Sequence, residues 1–273
     1  MVKKVVAKLS IWLALLVMYA PILLLIVYSF TEADQIGSWT GFSFGLYSKL
    51  FQSEPIMDAV KNTILIAGVS SVLSTILGTI GAIGIFYSKR RTKALYSTVN
   101  QIPVLNAEIV TALSLTILFV FIFNVVGLKG QFGFFTLLMG HMVLSTPFVV
   151  LSVIPKLTQM DPNIYEAALD LGATPRQALF KVIIPEISTG ITSGLLLSVT
   201  LSLDDYIITA FTRDSAFQTL STYIYGNSRI GSLAPVLRAL STLIFLLIVL
   251  VLVIINFTSK KKSKGVSRNE KDI

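Results

Sequence analysis

Cysteine is absent from this 273-residue chain, so it carries no disulfide framework and no thiolate metal site, and its redox compartment goes unread. The single histidine, His141, excludes a histidine-based metal cluster, and no metal ligand set is expected. Glycine is nowhere followed by lysine, so the Gly-x-x-x-x-Gly-Lys-Ser/Thr phosphate loop is missing and the chain has no such means of hydrolysing ATP. Charge is scarce as well: 13 % of residues are Asp, Glu, Lys or Arg, against about 25 % in ordinary soluble domains.

Apolar residues fill the space, at 54 % of the chain with a mean hydropathy of +0.80, which excludes a soluble enzyme. Six stretches of about membrane length stand out, over 11–30, 64–87, 102–123, 132–154, 187–211 and 235–257. The first is too long for the apolar region of a signal peptide and lacks a small-x-small cleavage site, so it reads as a retained helix. The expected organisation is an N-terminal segment 1–10, a helical membrane domain 11–257 and a basic tail 258–273.

A net charge of +8 would fit nucleic acid in a soluble protein, but here the basic residues flank apolar stretches, so the bilayer and not a nucleic acid is the expected partner. Placing the N-terminus in the cytoplasm puts Lys3, Lys4, Lys8, Lys89, Arg90, Arg91, Lys93, Lys156, Arg176, Lys181 and the tail from Lys260 to Lys271 inside. Only Lys49, Lys61, Lys129, Arg213, Arg229 and Arg238 fall elsewhere, and the bias predicts both termini inside. After the first stretch, Leu46, Tyr47, Leu50 and Phe51 share one helical face behind Trp39, Phe42 and Phe44, which predicts an interfacial helix that anchors the chain or docks a partner.

The longest inside connection, 156–186, carries helix punctuation. Asp161 is placed to N-cap a helix with Pro162 at its first position, and Gly172 to end it in a left-handed turn. Thr174, Pro175 and Gln177 form a second start with a capping box, and Pro185 is expected to stop that helix. Such a small-faced pair suits insertion into a partner's groove, or packing flat on its own bundle. Three acidic residues fall inside apolar stretches, Glu108, Asp204 and Asp205, each costing about 2.5–3.5 kcal/mol on insertion scales. Their shared sign is what a path for a multivalent cation requires. On a continuous helix Asp204 and Asp205 point about 100° apart, so one faces the path while the other caps or pairs with Arg213 or Arg229. Tyr206 offers a cation–π face at a membrane boundary. His141 is either a proton relay or a packing residue, and Gly78, Gly81, Gly84 and Ser74 favour close helix packing.

Glu166-Ala167-Ala168, then Gly172, then Val182-Ile183-Ile184-Pro185 resembles the EAA motif of ABC importer permeases. The resemblance implies an all-α integral membrane protein with six transmembrane helices and the type I, MetI-like permease fold. It also implies a coupling helix that docks on a separate ATPase, with Glu166 at the ATPase surface, Gly172 permitting the turn, and Ala167, Ala168 and Pro185 completing the motif. Met18-Tyr19-Ala20-Pro21, Asn62-Thr63-Ile64-Leu65-Ile66-Ala67, Leu201-Ser202-Leu203-Asp204-Asp205-Tyr206 and the segment 224–231 are similar to polyamine (spermidine/putrescine) permeases of the PotC type, along nearly the whole chain. That family implies a second homologous permease, an ATPase dimer that uses ATP and Mg, an extracytoplasmic polyamine-binding protein, no cofactor on this chain, and a bacterial plasma membrane. Alternatives are the same architecture carrying Fe³⁺, thiamine or another organic cation, and a proton- or sodium-driven carrier or channel. The capped loop argues against the last, which has no ATPase to grip.

Overall fold

The computed structural model describes residues 2–33, 37–127, 132–228, 235–246 and 249, with side chains from residue 8 onward. Among these, every regular element is helical. The order is α1 (Val2–Tyr28), α2 (Gly45–Gln52), α3 (Glu54–Tyr87), α4 (Arg90–Leu105), α5 (Glu108–Val126), α6 (Phe134–Gln159), α7 (Ile164–Asp170), α8 (Pro175–Glu186), α9 (Ser188–Asp204), α10 (Ile207–Thr212), α11 (Leu220–Ser228) and α12 (Pro235–Leu246). Helices are what hydrocarbon allows, because each satisfies its own peptide groups. Four of them, α1 from Lys8, α3, α5 and α6, are long and apolar enough to span a membrane, and the bent pair α8 and α9 makes a fifth. The described part of the sixth expected stretch is the apolar α12. The rest of that stretch, the tail 258–273, Lys129 and Arg229 lie outside the described residues.

Several boundaries differ from the sequence expectation, and the second span, α3, begins at Glu54 and not near residue 64. The third span begins at Glu108 and not near residue 102, because Ile102 and Pro103 finish α4 and Asn106 and Ala107 are extended (ψ 149° and 133°). Glu108 is therefore the first residue of α5 and not an interior one, and its carboxylate meets the positive end of the helix dipole. The fifth stretch is broken at Asp205 and Tyr206. Pro185 does not stop a helix: α8 continues to Glu186 through a π-helical turn at Leu179–Ile183, and the chain bends by 67° between α8 and α9. In that turn the Ile184 amide donates to the Leu179 carbonyl, a five-residue spacing that accommodates the amide Pro185 lacks.

The chain forms two compact units, Met1–Met57 with Ile224–Ile273, and Asp58–Tyr223. In the first, α2 forms as expected with Leu46 and Leu50 buried, and Phe30, Phe42, Phe44 and Tyr47 build a ring cluster with centroids 5.1 to 6.1 Å apart. Arg238 of α12 is fully buried; its Nη1 donates to the Tyr28 carbonyl (3.4 Å) and its Nη2 to that of Ala33 (2.6 Å). A cation there suits the carbonyl-rich, negative end of α1. In the loop between α1 and α2, Glu32 accepts from Ser43 Oγ (2.5 Å) and Lys49 Nζ (3.2 Å).

In the second unit, small residues let three helices close on one another. A Cβ on Gly78 of α3 would lie 2.6 Å from Val149 Cβ of α6, and one on Gly194 of α9 would lie 3.0 Å from Val149 Cγ1. Below this contact Ala82, Val150, Val153, Leu157, Ile183 and Ile187 continue the buried core. Without a hydrophobic drive between helices in lipid, such close approach is what holds them.

Two outcomes follow from these contacts. Gly78→Val should destabilise the purified protein by about 1–3 kcal/mol, seen as a lower Tm in detergent, whereas Gly84→Ala, which meets nothing within 4 Å, should leave Tm unchanged or raised. The Ser43 hydrogen bond and then the Lys49 charge hold the Glu32 carboxyl below its usual range. Protection of the Ser43 and Gly45 amides against hydrogen exchange should therefore persist above the carboxylate range and fall as pH drops through the lowered pKa.

Candidate functional site

Helix α9 ends at Asp204, Asp205 is extended (φ −62°, ψ 124°), and α10 starts again at Ile207. The break leaves first-turn amides of α10 without helical partners, and the Asp205 carboxylate supplies them. Its Oδ1 accepts from the Ile208 amide (3.2 Å), and its Oδ2 from the Thr209 amide and hydroxyl (both 2.7 Å). The relation between the two aspartates is thus not that of neighbours on a helix, since one ends a helix and the other caps the next. Asp205 makes no pair with Arg213, whose guanidinium donates to the Asp214 carbonyl (3.0 Å).

Beside the break lies a cavity of about 300 Å³ lined by Glu108, Asp204, Asp205, Tyr206, Leu144, Leu201 and Ile207. It brings together all four residues that the sequence suggested for a cation path, from two breaks in the chain. Asp204 and Glu108 are exposed and Asp205 is buried. Asp204 sits at the carboxyl end of α9, where the helix dipole disfavours a negative charge, so local stability does not account for an acid there. A conflict between local rule and residue of this kind marks a functional position.

His141 is fully buried. Its Nδ1 lies 2.6 Å from Ser202 Oγ, its Nε2 lies 2.9 Å from Thr209 Oγ1 and 3.6 Å from Asp205 Oδ2, and Ser202 reaches Ser70 Oγ at 3.1 Å. Both ring nitrogens have partners, as a packing histidine requires.

At the loop between α6 and α9, α7 starts at Ile164 and not at Pro162. Asp161 caps a preceding turn, its Oδ1 accepting from the Asn163 amide (2.9 Å), so Asn163 becomes the N-cap. The end is a Schellman turn: Gly172, at φ +86°, donates to the Leu169 carbonyl (2.9 Å) and Ala173 to that of Ala168 (3.1 Å). The capping box forms as expected, the Thr174 amide donating to Gln177 Oε1 (2.9 Å) and the Gln177 amide to Thr174 Oγ1 (3.3 Å). Ala168 and Ala178 are buried, and the Tyr165 ring lies 5.9 Å from that of Tyr87. Glu166, Ala167 and Pro185 are exposed, and so are Leu171 (89 %) and Phe180 (64 %). The sequence places Leu171 four residues after Ala167 on the face suited to a partner's groove, whereas Phe180 was passed over; a large apolar residue beside a polar turn was the available signal.

The profile of the family described as "Binding-protein-dependent transport system inner membrane component" matches residues 74–262. The chain belongs to this family. It is a multi-pass membrane permease, a transport subunit and not an enzyme. Among its relatives is the putrescine transport system permease protein PotI of Escherichia coli K12, 34 % identical over 228 residues, which are 83 % of this chain and 81 % of that one. The spermidine/putrescine transport system permease protein PotC of the same strain is 31 % identical over 248 residues, 91 % of each chain. PotC of Haemophilus influenzae is 32 % identical over 247 residues, 90 % of this chain and 93 % of that one. A chain of a bacterial ABC transporter involved in import of the acidic polysaccharide alginate superposes with a TM-score of 0.69 at 15 % identity, covering 95 % and 96 % of the two chains. That likeness establishes the fold, the type I importer permease expected from the motif.

The left-handed turn gives a direct check. Gly172→Ala should cost about 1–2 kcal/mol at φ +86° and loosen the α7–α8 pair, read as faster amide exchange at Gly172 and Ala173 with the rest of the protein unchanged.

Proposed function

We propose that this chain is a polyamine-importing permease of a bacterial plasma membrane, with both termini cytoplasmic, and that its acid-lined cavity passes the polycation. The observation that carries the reading is the meeting of Glu108 and Asp204 in one cavity, with Asp204 held at the helix end that disfavours it. A carboxylate and an ammonium about 4 Å apart gain on the order of 4 kcal/mol at an effective dielectric constant near 20, before desolvation is subtracted. Two such carboxylates suit a chain of separated amines better than a single positive charge. The names of the relatives support this class of substrate.

The partners are a second homologous permease, an ATPase dimer and an extracytoplasmic polyamine-binding protein. The chain itself binds no cofactor; ATP and Mg belong to the ATPase. Glu166, Ala167, Leu171 and Phe180 form the face that meets the ATPase, while Ala168 and Ala178 fix the loop to its own bundle. Closure of the ATPase dimer pulls on that face, and the cavity changes from outward-open to inward-open, two states that the nucleotide biases.

Labelled spermidine uptake in cells lacking this chain tests the reading. The original sequence should restore uptake. At matched membrane levels Asp204→Asn should lower it by at least about tenfold, and Glu166→Ala should lower it together with recovery of the ATPase in the purified complex. Absence of restoration with all partners assembled, or transport of Fe³⁺ or thiamine instead, would reject the polyamine assignment.

A further inference from the structure

We propose that Asp205 and His141 are positioning residues, and that of the three acids lining the cavity only Asp204 and Glu108 meet the cation. The inference rests on reading the cavity as a cation path, and it divides the acids by what their oxygens already do. The Asp205 side chain is 1 % exposed, with an amide on Oδ1 and both an amide and a hydroxyl on Oδ2. To bind an ammonium it would have to release a donor that holds the first turn of α10. Among the described residues no side-chain donor reaches Asp204 or Glu108, and both are exposed.

His141 fixes Asp205 through Thr209, and the order of donors follows from the carboxylate. A carboxylate accepts only, so the Thr209 hydroxyl donates to Asp205 and must itself accept, from His141 Nε2–H. Nδ1 then accepts from the Ser202 hydroxyl, which accepts from Ser70 at 3.1 Å, a shorter contact than the 3.5 Å from Ser70 to the Ala67 carbonyl. This direction satisfies a neutral ring with its proton on Nε2. The relay ties α3 (Ser70), α6 (His141), α9 (Ser202) and α10 (Thr209) across the break. Helices α6 and α9 are the two that enter and leave the coupling loop, so displacement of that loop reaches Asp204 through helices pinned together at His141 and Ser202.

The test uses the transporter assembled with its permease, ATPase and binding-protein partners in proteoliposomes, and reads labelled spermidine uptake. A second readout is maleimide labelling of Ile207→Cys, read on this chain after the subunits are separated, where the background is clean because the chain has no other cysteine. Asn caps a helix about as well as Asp, so Asp205→Asn should keep at least about a third of the uptake, while Asp204→Asn loses at least about tenfold. Asp205→Ala and His141→Ala should each speed the labelling of Ile207→Cys severalfold, and His141→Gln, which keeps a donor and an acceptor, should restore slow labelling. A fall with Asp205→Asn as deep as with Asp204→Asn, in complexes of equal assembly, would overturn the proposal, as would unchanged labelling in Asp205→Ala and His141→Ala. If the unaltered complex takes up no spermidine, the polyamine reading fails, and the labelling arm alone decides whether Asp205 and His141 hold the break.

Discussion

A helix in hydrocarbon that is interrupted must find partners for the peptide groups it exposes, and the arrangement of the second unit depends on how that demand is met at Asp205. In water, solvent is available to such groups where no side chain caps them. Here the carboxylate of the interrupting residue covers the amides of the next helix, and Thr209, His141, Ser202 and Ser70 complete the polar chain. The interruption is thereby tolerated, and it turns the backbone so that Asp204 lies beside Glu108, itself placed by a second interruption at Asn106 and Ala107.

Rigidity below the cavity complements the polar break above it. Gly78 and Gly194 both close on Val149, and from there the core continues to Ile183 and Ile187 at the bend between α8 and α9. The wide turn at Leu179–Ile183 allows Pro185 to stay inside a helix, so the loop and the span that follows it are joined through a stiff corner and not a flexible linker. A movement of the loop is carried by packed helices with little give, which is what mechanical coupling to an ATPase needs.

Much of this was legible in the sequence, for identifiable reasons. Hydrophobic length located the spans, and residue types with strict local demands located the loop: Gly172 at positive φ, and the reciprocal bonds of Thr174 with Gln177. The acids were found because charge in an apolar stretch is rare. The breaks were hidden. Nothing in a continuous run of apolar residues announces that Asp205 caps a new helix, because the cap is satisfied by residues three and four places on, inside what reads as one span. Pro185 misled in the opposite sense, since a π turn supplied the room that a regular helix lacks. The partners of His141 come from 61 and 68 residues away, beyond the reach of any local pattern.

The buried Arg238 has a bearing on how the chain is made. Its guanidinium serves the carbonyl of Tyr28, 210 residues earlier, and that of Ala33. At about 5–20 residues per second, the end of α1 emerges roughly 10–40 s before the side chain that serves it. Throughout that interval the carbonyl end of the first helix depends on water or on the insertion machinery, so closure of the first unit waits on the second and reports that synthesis has passed residue 238.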